Sequence, residues 1–313
     1  MFSPKTFVLL ISVAAIPSWA ALNAYVPNEK SGTISVIDTG DDRVVGEIKF
    51  DGRPRGLAAS LDGKRLYVSD QIHNQLTIID LTRLVISGRI ALGDSPEGVG
   101  ISTDGRWVAA ANEETNTVSV IDTATDRESF RAKVQGRNPE HPVFSPDGRS
   151  IYVSAEEGST VDVIDMAARA VVTHIAVGDR PRGIGFLPDG SRAYVAAEHA
   201  DTVFVIDTDH RTVVATIKAG KRSNGVAVHP DGSRVYISNG GDASVSVIDT
   251  KENRIVATVP VGKRPWNMAL TPDGRKLYVA NGRSSSVSVI DTARNVVLKE
   301  IPVGVLPWGV VVR

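Results

Sequence analysis

The feature that most constrains this chain is a repeat. A Val/Ile-Ile-Asp motif ends at Asp38, Asp80, Asp122, Asp165, Asp207, Asp249 and Asp291, a spacing of 42 residues that lengthens once to 43. An Asp-Gly pair keeps the same rhythm at Asp62, Asp104, Asp147, Asp189, Asp231 and Asp273. A fixed period of this size means one supersecondary unit copied along the chain. Each period divides into short β-branched runs separated by turn residues, the pattern of strands. In the last full period the expected strands are Trp266–Thr271, Lys276–Asn281, Ser286–Asp291 and Asn295–Val303. Pro272-Asp273-Gly274 suits the hairpin between the first two. Proline presets φ, aspartate bonds to nearby backbone, and glycine takes positive φ. The same turn chemistry explains every repeated aspartate, and each sits in a different repeat, so none is read as a metal ligand.

Four strands in about 42 residues is the period of a propeller blade. A solenoid is the rival, and the chain ends separate the two. Asn23–Asn28 matches a second strand and Gly32–Asp38 a third, so the N-terminal unit lacks its own first strand. Pro307–Val312 matches a first strand and nothing more. Pairing these two segments closes a ring and removes the open sheet edges that a solenoid has to cap. The expected fold is therefore an all-β seven-bladed β-propeller with four antiparallel strands per blade. It should be closed by the C-terminal strand, with residues 21–313 forming one domain.

Residues 1–20 read as a signal peptide. Lys5 supplies the positive charge, Phe7 to Ile16 the short apolar run, and Ser18-Trp19-Ala20 the small-x-small cleavage site. Ten apolar residues are too few to span a bilayer, and no later run is long enough. The mature chain, from Ala21, is expected in the periplasm or outside the cell. There is no cysteine, which excludes disulfides, thiolate metal sites and a cysteine nucleophile, and suits an oxidising compartment. A formal net charge of −1 gives no basic field for duplex nucleic acid.

Arg65-Leu66-Tyr67-Val68-Ser69, Lys276-Leu277-Tyr278-Val279-Ala280-Asn281 and Ser288-Val289-Ile290-Asp291-Thr292 resemble the YVTN family of bacterial β-propeller repeats. The resemblance covers the whole mature chain. Its size, its leader and its seven uninterrupted repeats are most similar to propeller proteins associated with pyrroloquinoline quinone (PQQ)-dependent alcohol catabolism. That resemblance implies a periplasmic role beside a quinoprotein system and carries over no catalytic residue. Quinone-binding propellers have eight blades and tryptophan docking repeats. Neither is present, so no cofactor is expected on this chain.

Function should lie on the face where fourth strands lead into first strands, because loops on a rigid scaffold carry specificity. Aligned on Pro54, Pro96, Pro139, Pro181, Ser223, Pro265 and Pro307, the next residue is Arg55, Glu97, Glu140, Arg182, Asn224, Trp266 or Trp308. Repetition predicts sameness, so this variable column is the candidate ligand site. The plainer reading is a set of solvated loop residues. The position after it is usually glycine, read as keeping the channel mouth open, and becomes His141 and Asn267 in two blades. His141 and His199, with nearby carboxylates, are the metal candidates, although no metal-ligand spacing supports them. Trp266 and Trp308 could stack a planar ligand, or could simply pack where the ring closes.

No nucleophile elbow or phosphate loop is present. The leading expectation is a non-enzymatic binding or scaffold protein, monomeric, with a periplasmic protein partner or a small ligand. The alternatives are a hydrolase or lactonase using Glu and His on the loop face, and a binder of metal or single-stranded polymer.

Overall fold

The structure is a computed structural model that describes residues 22–313. The expected signal peptide, residues 1–20, lies outside the described residues. Seven four-stranded antiparallel sheets follow one another around a ring. Blade 4 runs from the channel outward as Pro139–Phe144, Ser150–Ala155, Thr160–Asp165 and Ala170–Ala176. Blade 7 consists of Pro265–Leu270, Lys276–Asn281, Ser286–Asp291 and Val296–Pro302. Its two middle strands match the sequence reading residue for residue. The inner strand begins one residue earlier, and the outer strand is trimmed at both ends.

Closure is as expected. Val311–Val312 pairs with Asn23–Asn28 through Ala24↔Val312 and Tyr25↔Val311, so the C-terminus supplies the inner strand of blade 1. Asn23 and Arg313 exchange two backbone hydrogen bonds, of 2.7 and 2.9 Å, and the Trp308 amide donates to the Pro27 carbonyl at 3.0 Å. Regular pairing is shorter than the expected run because Pro307 to Val310 follows the irregular path of the other inner strands.

The core lies between blades. Tyr25, Ile34 and Phe50 of blade 1 pack on Leu66, Val68 and Ile79 of blade 2. The closing interface is equally apolar, with Ala24, Val26 and Val312 against Tyr278, Val287 and Val289. The two middle strands of each blade are buried on both faces, so their aliphatic residues run together instead of alternating. Each buried Val, Leu or Ile contributes about 1.5–3 kcal/mol. The repeated aspartates serve turns. Asp38 Oδ1 accepts the amides of Gly40 and Asp41 at 2.8 and 3.0 Å. Asp273 Oδ1 accepts the Thr271 hydroxyl and the Arg275 amide at 2.6 and 3.0 Å, beside Gly274 at φ 72°. Among the described residues no helix is long and apolar enough to cross a membrane.

Candidate functional site: the channel mouth

A β-bulge builds the mouth. In blade 2 the inner ladder pairs Pro54 with Asp70 and then Leu57 with Val68, so Arg55 and Gly56 stand opposite one residue. The same skip frees Glu97, Glu140, Arg182, Asn224 and Trp266 in the next five blades. The second strand stitches the gap where it carries serine. Ser69 Oγ accepts the Gly56 amide at 2.9 Å and donates to the Glu97 carbonyl of the next blade at 2.5 Å. Ser154 does the same for the His141 amide, at 3.2 Å, and the Arg182 carbonyl, at 2.6 Å.

The glycines beside this column have a different purpose from the one the sequence suggested. A Cβ on Gly56, Gly98, Gly183 or Gly225 would lie 2.3 to 2.5 Å from a carbonyl oxygen of the next inner strand. They allow neighbouring strands to touch backbone to backbone, and the opening of the mouth is incidental.

The projecting side chains neutralise one another. Arg55 contacts Glu97 and reaches Glu29 at 3.3 Å, while Gln71 Nε2 donates to Glu97 at 2.8 Å. Arg182 holds Glu140 at 2.7 Å, Glu198 at 3.0 Å, and Glu156. Arg180 reaches Glu156 and Glu198 at 3.0 and 3.1 Å, and Arg264 reaches Glu198 at 2.6 Å. Guanidinium groups suit this work because one planar fork can serve several carboxylates.

The two clusters meet at Glu97 and Glu140, like charges in neighbouring blades. Burial, then Glu140, hold the Glu97 carboxyl well above the usual range against the pull of Arg55. Burial and Glu140 push Glu156 up to about 8 despite Arg182 and Arg180. Burial opposes ionisation of Glu198 as well, but Arg182 and Arg264 outweigh it and bring its pKa down. Arg182 is lifted further above its usual value, because Glu140, Glu156 and Glu198 outweigh the burial that would lower it. Arg55 Nε, Glu97 Oε2 and Arg264 Nη1 are buried there without a hydrogen-bond partner in the protein. Unpaired polar atoms gathered at one place mark a site where packing alone did not choose the residues.

His141 is half-buried and stacks on Trp308, with ring centroids 6.5 Å apart and planes 12° from parallel. Blades 4 and 1 thus bridge the channel. Burial lowers the His141 pKa, with Glu140 opposing and Arg182 adding to the shift, so the imidazole is held neutral. The cavity bordered by this pair is small, about 90 Å³, and is lined by Leu57, Val99, Ile184, Val226 and Met268.

Of the residues read from the sequence, Arg55 with Glu97, Glu140 with Arg182, and His141 with Trp308 come together. Trp266 does not join Trp308. Its ring lies over Gly282, 2.9 Å from where a Cβ would stand. Asn224 is buried with its carbonyl against Gly183. His199 is exposed and pairs with Asp179 at 3.6 Å, away from His141. Among the described residues no three His, Asp or Glu side chains are grouped to hold a metal. Sequence reasoning missed Glu29 and Gln71. The signal was available, because Glu29, Gln71, Glu113, Glu156, Glu198, Gly240 and Gly282 form one aligned column. Where that column holds glycine, Arg264 and Trp266 lie over the space.

Blade count, the closed ring and a varied charged mouth on an otherwise uniform repeat define a seven-bladed repeat propeller. The chain belongs to the family described as lactonase, 7-bladed β-propeller, whose model matches residues 21–132 and 167–300. No curated protein matches its sequence. Among solved structures, a chain titled hydrazine synthase from Kuenenia stuttgartiensis superposes with a TM-score of 0.80 at 25% identity, covering 86% of this chain and 92% of that one. A functionally unknown protein from Desulfotomaculum acetoxidans has a TM-score of 0.81 at 16% identity, covering 93% and 98%. The second likeness is one of fold alone.

Proposed function

We propose that this is an exported, non-enzymatic binding or scaffold propeller of the YVTN type, acting in the periplasm beside a PQQ-dependent alcohol-oxidation system. The observation that carries the non-enzymatic reading is the mutual neutralisation of the mouth. Glu97, Glu140, Glu156 and Glu198 are all engaged by arginines, and the cavity bordered by His141 and Trp308 is about 90 Å³. Ligand pockets usually measure about 300–1,000 Å³, so this one has room for a few waters and not for a substrate. A preformed, rigid, charged rim suits recognition of a partner's surface.

The test is capture from periplasm with the tagged mature protein. Arg53→Glu and Trp266→Ala should release a captured partner, and Arg149→Glu on the opposite face should not. Equal retention by all three variants overturns the assignment of the loop face.

The second reading is lactone hydrolysis, favoured by the family match and by Glu97, whose pKa burial and Glu140 raise. A panel of γ- and δ-lactones decides between the two. The scaffold reading expects no turnover above buffer. Turnover that disappears in Glu97→Gln would replace it with the enzymatic one.

A further inference from the structure

A wide cleft lies on the other face. It lies between blades 4 and 5 and has a volume of about 700 Å³. In three blades the first residue of the second strand reaches across to the next blade, whereas Arg234 of blade 6 turns to Asp249 of its own sheet. Arg65 Nη1 donates to the Thr123 carbonyl at 2.9 Å and meets Asp126 at 3.0 Å. Arg192 Nη1 donates to the Thr250 carbonyl at 3.2 Å. Lys276 Nζ donates to the Thr39 carbonyl at 2.8 Å and to Asp42 at 2.7 Å. In each of these three grooves a cation of this chain sits on a threonine carbonyl. Blade 4 has Ser150 at that position, and the carbonyl facing it, on Thr208, has no such donor.

A second substitution accompanies the first. Tyr194 donates its hydroxyl to Asn253 Oδ1 at 2.9 Å, and Tyr278 donates to Asp42. Their counterpart Tyr152 faces Arg211, which occupies the aligned left-handed turn position at φ 54° and offers no acceptor. Tyr152 is 2% exposed, lines the cleft with its ring edge-on to Phe186 at 4.9 Å, and its hydroxyl makes no hydrogen bond within the described residues. The Tyr152 hydroxyl is therefore available to a ligand in the cleft, beside the position that Arg192 and Lys276 fill in their own grooves. The lining supplies both signs. Asp165 and Asp189 spend Oδ1 on turn amides and keep Oδ2 free, while Arg149 and Arg211 stand nearby.

We propose that this cleft binds a small zwitterion with a guanidinium or ammonium group at one end and a carboxylate at the other, that is, a basic amino acid. The cationic end takes the seat that Arg65, Arg192 and Lys276 fill in their own grooves, donating to the Thr208 carbonyl, the Tyr152 hydroxyl and Asp189. The carboxylate lies toward Arg211 and Arg149; the aligned arginines of the neighbouring groove, Arg106 and Arg169, are instead stacked on Trp107 and Phe130. The volume suits a ligand of this size.

Isothermal titration of the whole protein with free arginine tests the assignment. Arginine should bind. Agmatine, which lacks the carboxylate, and succinate, which lacks the cation, should bind at least tenfold more weakly. Ser150→Arg restores the repeat and fills the seat from within, so it should lose arginine binding while keeping or raising the melting temperature. Tyr152→Phe should weaken binding severalfold without loss of stability, since its hydroxyl bonds nothing in the protein, and it keeps the test open if Ser150→Arg folds poorly. Arg211→Asn should bring arginine and agmatine to similar affinity. No heat with arginine at millimolar concentration overturns the proposal, and so does undiminished binding by both Ser150→Arg and Tyr152→Phe.

Discussion

In blade 6 the Gly220 amide is held by Asn239, at the end of the second strand, at 3.1 Å. In blade 4 the corresponding amide, of Gly136, is held by Asp162 from the third strand, at 2.9 Å. Blade 4 has Ala155 where blade 6 has Asn239, and Asp162 where blade 6 has Ser246. Asp162 also accepts the Gln135 amide at 2.7 Å and meets His174 Nδ1 at 2.7 Å. The same loop is anchored from two different strands, and the change at one position is compensated at the other.

Further differences between the two blades fall at the ends of strands. His141 replaces Gly225, Glu156 replaces Gly240, and Ser150 replaces Arg234. The apolar middle of the blade is unchanged in kind. The stretch between the two family-matched segments, 133–166, contains these five positions. The frame tolerates variation where side chains leave the inter-blade core, and blade 4 is where this chain has used that freedom most.

The bluntest way to break the comparison is to open the ring, which turns two protected blades into edges. Deleting residues 305–313 removes the closing bonds, each worth about 1 kcal/mol net, together with buried Trp308, Val310 and Val312. A fall of more than ten degrees in melting temperature, or aggregation on size exclusion, is expected. A monomer of unchanged stability would show that blade 1 does not need its borrowed strand.

Asp162→Ser gives blade 4 the serine of blade 6 without its asparagine. The Gln135 and Gly136 amides then lose their acceptor, at a cost of roughly 2–3 kcal/mol in urea unfolding. Adding Ala155→Asn should recover most of that loss. Failure of the double variant to recover would mean that the two anchoring arrangements are not equivalent.

Glu156 sharpens the comparison through pH. Its folded pKa, about 8, lies above the ordinary 4.5, so the folded state binds the extra proton between those values. Its contribution to stability is therefore fully present below about 4.5 and lost as pH rises toward 8. Glu156→Gln should flatten this decline and be more stable than the parent at pH 8. Parallel melting-temperature profiles for the two proteins would refute the assignment.

His141→Gly should have the smallest effect. The lost stacking on Trp308 is worth about 1 kcal/mol, and the channel should admit more solvent. A red shift in tryptophan emission with a small drop in melting temperature is the expected result. A blue shift would mean that Trp308 does not depend on His141 for its cover.

The sequence showed much of the site's composition but not its pairing. Arg55, Glu97, Glu140, His141, Arg182 and Trp308 stood out because a repeat predicts sameness and these positions vary. That burial and Glu140 raise the Glu97 pKa, or that His141 meets Trp308 across the channel, depends on distances between residues far apart in the chain. Trp266 illustrates the difference, since its neighbour in the aligned column is Trp308 but its contact in space is Gly282.

The period, the turn aspartates and the unfinished units at the two ends determined the blade number and the closure, because these are local patterns copied at fixed spacing. Tertiary structure alone decided what the copies do to one another. It placed Ser150 opposite an unoccupied carbonyl, exchanged the anchor of Gly136 between strands, and buried Glu97 and Glu156 near Glu140, which raises both of their pKa values. Those outcomes arise from burial and from approach within a few ångströms, and the order of residues along one chain does not encode them locally.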